Sequence, residues 1–204
     1  MKRRWHAVAI LTALLLLGRS ASAQQTLIWL PNGVTPGGSG TWNTSVAVWS
    51  DGAACCSKWT NVVSGHDSVF DGTPGTVTLS TGIRVRNITF NSSGYLIAGN
   101  TLTLTGSNPS ITTASGTSAI SSRIAGSAGL IKAGTGLLSL TGANTYTGTT
   151  TISAGTLQIG NGGTAGQLGT GAVVNDAALI FNRSNNHTVA NLISGTGTLT
   201  KLGA

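Results

Sequence analysis

The stretch Gly129-Leu-Ile-Lys-Ala-Gly-Thr-Gly-Leu-Leu-Ser-Leu-Thr-Gly-Ala-Asn-Thr-Tyr-Thr-Gly148, continuing Thr149-Thr-Thr-Ile-Ser-Ala-Gly-Thr-Leu-Gln-Ile-Gly160, decides the fold. It holds four short runs, Gly129–Lys132, Leu137–Thr141, Thr149–Ser153 and Thr156–Ile159, in most of which apolar residues recur at every second position. That period predicts strands with one buried face. The glycines between runs accept the positive φ that sharp corners impose. Runs of the same kind extend toward the N-terminus as Thr76–Leu79, Ile83–Phe90, Tyr95–Ala98, Thr101–Thr105, Ser110–Thr113 and Ala119–Ile124. Toward the C-terminus they continue as Ala172–Val174, Ala178–Asn182, Thr188–Ile193 and Thr198–Lys201. Within Ile83–Phe90 the parity of Ile83 and Val85 is opposite to that of Ile88 and Phe90, which predicts a bulge near Asn87.

Short strands can build a sandwich, a barrel or a solenoid, and an internal repeat chooses among them. A shift of 69 residues pairs Ile124 with Ile193, Gly126 with Gly195, Leu130 with Leu199, Lys132 with Lys201 and Gly134 with Gly203. This spacing is close to three coils of about 23 residues, a solenoid repeat length. The expectation is stacked coils about 4.8 Å apart, with Leu, Ile and Val inside and Thr, Ser and Asn outside.

Composition agrees. Gly, Ser, Thr and Asn make up nearly half of the 204 residues, charged residues are 7%, and there is no Glu. This mixture disfavours long helices, while 40% hydrophobic content argues against disorder. The formal net charge of +7 owes much to Lys2, Arg3, Arg4 and Arg19. The remaining basic residues, Lys58, Arg84, Arg86, Arg123, Lys132, Arg183 and Lys201, are scattered, so no nucleic-acid partner is expected.

The segment Gly129–Gly160 resembles the autotransporter-associated β-strand repeat along nearly all of its 32 residues. Trp42, Trp59, Asp67, Phe70 and Ile88-Thr-Phe90 resemble the lead-in of the same proteins. The resemblance implies a right-handed parallel β-helix in an exported bacterial surface or secreted protein. It implies no activity, because the repeat is an architectural unit. A second copy opens at Gly195 and reaches only Ala204, so a truncated chain with an exposed last rung is expected. The C-terminal barrel or anchor that would give a membrane attachment is expected to lie outside it.

Lys2-Arg3-Arg4, the apolar run Ala7–Leu17 and Ala21-Ser22-Ala23 predict a secretory signal peptide over residues 1–23. The expected organisation is this leader, a Trp-rich cap or lead-in over 24–72, and parallel coils over 73–204. Export points to the cell surface, outer membrane or extracellular space. The two cysteines, Cys55 and Cys56, are adjacent, which excludes a disulfide scaffold and leaves two loop thiols or a small vicinal ring.

Chemistry is sparse. A β-helix lyase or hydrolase needs clustered carboxylates, whereas Asp51, Asp67 and Asp71 lie in the lead-in and Asp176 stands apart. Asp67 and Asp71 could flank a site with His66, but turn and capping roles within residues 66–72 are preferred. The Gly-rich run 160–166 lacks the Lys and the following helix of a phosphate cradle. The expectation is a non-enzymatic protein without cofactor or metal. Trp29, Trp42, Trp49 and Trp59 admit two readings, a plug for the open end of the apolar bore, which is preferred, or a carbohydrate platform. The leading function is a structural, adhesin-like segment whose polar surface serves adhesion to host or matrix glycans or proteins, or self-association. The alternative is a carbohydrate-binding or polysaccharide-processing β-helix.

Overall fold

Stacked corners and alternating strands set the path of the chain. The computed structural model describes residues 24–53 and 55–203, and the expected leader at 1–23 lies outside them. Among the described residues the regular structure is β throughout. The first coil supplies β1 (Thr26–Trp29) and β2 (Gly40–Trp42), followed by a detour through β3 (Ala47–Ser50) and β4 (Cys55–Lys58). The second supplies β5 (His66–Phe70), β6 (Thr76–Leu79) and the first half of β7 (Ile83–Phe90). The third takes the second half of β7, β8 (Leu96–Gly99) and β9 (Leu102–Leu104). The fourth is β10 (Ser110–Thr113), β11 (Thr117–Ile120) and β12 (Ile124–Ala125). Pairs then follow: β13 (Leu130–Ala133) with β14 (Leu137–Leu140), and β15 (Thr150–Ile152) with β16 (Thr156–Ile159). The last are β17 (Val173–Asn175) with β18 (Ala178–Asn182), and β19 (Ile193–Ser194) with β20 (Thr198–Leu202).

These coils build a parallel β-helix of three walls. The first wall stacks β1, β5, β7, β10, β13, β15, β17 and β19, all in parallel. The second stacks β2, β6, β8, β11, β14, β16, β18 and β20, also in parallel. The third begins as β7, β9 and β12. Beyond β12, side-chain amides carry part of that wall. Asn144 Oδ1 accepts Ile124 N–H at 2.8 Å, its Nδ2 donates to Gln167 O at 2.7 Å, and Gln167 Nε2 donates back to Asn144 O at 2.9 Å.

Alternation fills the bore. Ile97, Ile120, Leu140 and Ile159 stack as one column of buried side chains along the second wall. Each buried Leu or Ile contributes about 1.5–3 kcal/mol over exposure. The predicted bulge is present: the β5–β7 register jumps between His66↔Val85 and Ser68↔Ile88, and Ile83, Val85, Ile88 and Phe90 are all buried. At the corners the chain uses glycine, as at Gly134 with φ +74°, where an added Cβ would sit 2.3 Å from Thr113 O.

Other expectations need correction. From β5 onward stacked partners lie from 19 residues apart (Leu140 and Ile159) to 23 (Ile88 and Ile111), whereas the detour through β3 and β4 separates Thr26 from Asp67 by 41. Residues 69 apart do not stack. Leu130 belongs to the first-wall column Leu130–Thr150–Val173–Ile193, while Leu199 belongs to the second-wall column Leu138–Leu157–Leu179–Leu199. The shift spans three coils plus one wall. It found a corner unit that recurs one wall further round, since Gly126 and Gly195 have φ +117° and +107°. Lys132 Nζ donates to Gly134 O as Lys201 Nζ does to Gly203 O. The run expected at Ala119–Ile124 is two strands around a corner at 121–123, and the one expected at Thr188–Ile193 shrinks to β19. Residues 66–70, read as turn and capping positions, form β5, and the turn begins at Asp71.

Candidate functional site

Strands β1 to β5 bring four indoles into one cross-section. Trp42 lies 4.7 Å from Trp59 and 4.8 Å from Trp49 between ring centroids, and Trp29 lies 5.1 Å from Trp49. Most contacts are edge-to-face, the favoured arrangement of aromatic quadrupoles. Phe70 joins the cluster and stacks on Phe90 at 5.3 Å. Trp29 Nε1 donates to Gly38 O and Trp59 Nε1 to Arg84 O, whereas Trp42 and Trp49 Nε1 have no acceptor among the described residues. All four tryptophans are 0% exposed. A sugar ring could stack on them only after the cluster opened.

β3 and β4 close this end by pairing antiparallel, β3 on β1 and β4 on β3. Cys55 and Cys56 form a disulfide in β4, and both sulfurs pack near Gly33.

The three candidate acid–base residues have separate partners. Asp67 holds Arg86 through Nη2 at 2.8 Å and Nε at 3.0 Å, and also accepts Asn87 N–H at the bulge. This contact raises the Arg86 pKa. Asp71 accepts from Gly72 N–H, Asn91 and Ser92, and these bonds, led by Gly72, hold its carboxyl below the usual carboxylate range. His66 is buried, accepts Gln25 N–H on Nδ1 and sits 2.7 Å from Thr60 Oγ1 through Nε2. Burial pushes its pKa down against the opposing pull of Asp67. Among the described residues no cluster of three or more His, Cys, Asp or Glu could hold a metal ion.

Lys132 is a buried cation that scattered charge in the sequence did not reveal. It is 0% exposed, between Ile111 and Ile152 of the first wall, and its Nζ donates to Ala133 O, Gly134 O and Ala154 O at 2.7, 2.8 and 3.2 Å. Burial lowers its pKa to about 8. The clue was parity, because Leu130 and Lys132 share a face. A cleft of about 460 Å³ lies beside Ser107, Asn108, Ser127, Thr149 and Thr151. A second cleft of about 370 Å³ lies on the other side of Ser107 and Asn108.

Residues 130–159 match the family model described as passenger-associated-transport-repeat. The chain is 43% identical over 186 residues to "Adhesin BmaC autotransporter" of Brucella suis biovar 1 (strain 1330), a match covering 85% of this chain and 5% of that protein. The chain thus spans about a twentieth of the length of that relative. No solved structure matches.

Proposed function

The chain is an autotransporter-associated repeat protein, and from that premise we propose that it is an adhesin-like passenger segment exported to the cell surface or outer-membrane region. The observation that carries this reading is the 43% identity to an autotransporter adhesin across 85% of the chain. The parallel stack supports it, because outward strand positions such as Thr76, Thr78, Thr151 and Gln158 carry hydroxyl and amide side chains, while others, Thr150 and Ser139 among them, lie inside. Attachment then works through many weak polar contacts, with no chemical step. Self-association of exported copies belongs to the same reading.

In this reading residues 1–23 are a leader removed after Ala23, 24–72 are the lead-in, and 73–204 are the coils. The N-terminus of the exported protein, read by mass spectrometry, checks the first boundary. Saturable binding of the purified chain to immobilised host cells or matrix is the expected result. Absence of binding to any such surface, or turnover of a polysaccharide by the purified chain, overturns it. Carbohydrate contact through Trp29, Trp42, Trp49 and Trp59 is a separate proposal, which predicts a change in tryptophan fluorescence on adding the glycan.

A further inference from the structure

Six successive corners, each before the first strand of its coil, line one edge of the molecule. They carry Gln24, Ser64, Asn87, Asn108, Gly129 and Thr149 ahead of β1, β5, the second half of β7, β10, β13 and β15. At about 4.8 Å per rung this edge runs about 24 Å along the axis. The two clefts lie end to end on it, separated by the loop Gly106–Asn108, and their volumes of about 370 and 460 Å³ fall within the range of ligand sites, about 300–1,000 Å³. Their floor is backbone. A Cβ on Gly148 would sit 2.3 Å from Gly129 N, and one on Gly129 would sit 2.3 Å from Thr149 O, so neither position admits a side chain.

The walls carry unspent hydrogen-bonding capacity. Asn side chains at other corners are tied to the adjacent coil: Asn61 donates to Gly82 O, Asn100 to Leu79 O, and Asn191 to Gly169 O. Among the described residues Ser107, Asn108, Ser127, Thr149 and Thr151 have no such partner, and all five line the larger cleft. Hydroxyls and an amide offer donors and acceptors together. Among the described residues that line the two clefts, the one ionic side chain, Arg86, is already paired with Asp67. A peptide strand has no place here, because the first-wall amides are engaged between rungs and the groove crosses the strands at right angles. Half-buried Ile131 adds an apolar patch beside the hydroxyls.

We propose that this edge groove binds a neutral oligosaccharide lying along the solenoid axis, its hydroxyls exchanging hydrogen bonds with Ser107, Asn108, Ser127, Thr149 and Thr151. This rests on the adhesin-like reading and names its ligand class. The site is distinct from the tryptophan cluster.

The test uses the full chain on an array of neutral tetra- and pentasaccharides, with immobilised host cells as a parallel surface. Thr151→Trp fills the larger cleft, and Asn108→Ala removes one amide from an exposed loop. Thr117→Ala, on the second wall, is the control. The expected result is saturable glycan binding that weakens roughly tenfold in both groove variants and is unchanged in the control, with thermal unfolding of Asn108→Ala unaltered. Binding undiminished in the groove variants overturns the proposal, as does binding to charged glycans only. An array with no neutral glycan bound, while host-cell binding persists, sinks the groove and spares the adhesin-like reading. Loss of both surfaces sinks the two together.

Discussion

The aromatic end and the aliphatic bore fill the same tube in different ways. In the bore a strand turns up to two branched side chains inward, as Leu157 and Ile159 do in β16, and Ile97, Ile120, Leu140 and Ile159 repeat without any change of strand direction. The four indoles depart from that pattern. To bring Trp29, Trp42, Trp49 and Trp59 to one level the chain leaves the spiral, β3 pairing antiparallel on β1 and β4 antiparallel on β3. Trp29 and Trp42 keep the parallel register of β1 and β2, and the departure is confined to β3, which carries Trp49, and to β4.

Truncation tests this contrast most severely. Trp42→Ala removes a fully buried indole from three ring contacts and is expected to cost about 3–5 kcal/mol in denaturant unfolding. Leu138→Ala, deep in the bore, is expected to cost about 2–5 kcal/mol. If the tryptophan variant proves the milder of the two, the closed end is not the better-packed region.

Lys132 sharpens the comparison, since it places a cation in the bore between Ile111 and Ile152. Its pKa of about 8 in the fold lies below the ordinary 10.5 of an exposed lysine, so the unfolded chain binds the extra proton between these values. Stability should rise as pH climbs from about 8 toward 10.5, and the gain is lost as pH falls through about 8. Lys132→Met should flatten that slope in pH-dependent thermal melts. The smallest effect is expected at Asp67→Asn. With the Arg86 side chain 38% exposed, the ion pair contributes about 0.2–1 kcal/mol, fading in high salt.

What was legible in the chain follows from the same contrast. Alternation exposes aliphatic strands, so β6, β7, β10, β16 and β18 stand at their expected residues, and the parity switch around Asn87 located the bulge. The same method fails where polar residues face inward. β5 buries His66 and Ser68 alongside Phe70, and β4 is Cys-Cys-Ser-Lys with no alternation. The groove residues left no linear signal, because Ser107, Ser127 and Thr149 become neighbours only through coil lengths. The 69-residue match misled on register for a related reason: corners of different walls share local chemistry.

The exchange of amides between Asn144 and Gln167 bears on where the chain accepts inserted residues. A wall stapled by side chains has less backbone ladder to disrupt, although the loop between Ile159 and Leu168 is itself tied to the next coil, Gly162 N–H donating to Asn182 O and Ser184 N–H to Gly163 O. A guest epitope spliced into 161–165 would have to keep those bonds to the next coil in place to ride outward on the scaffold.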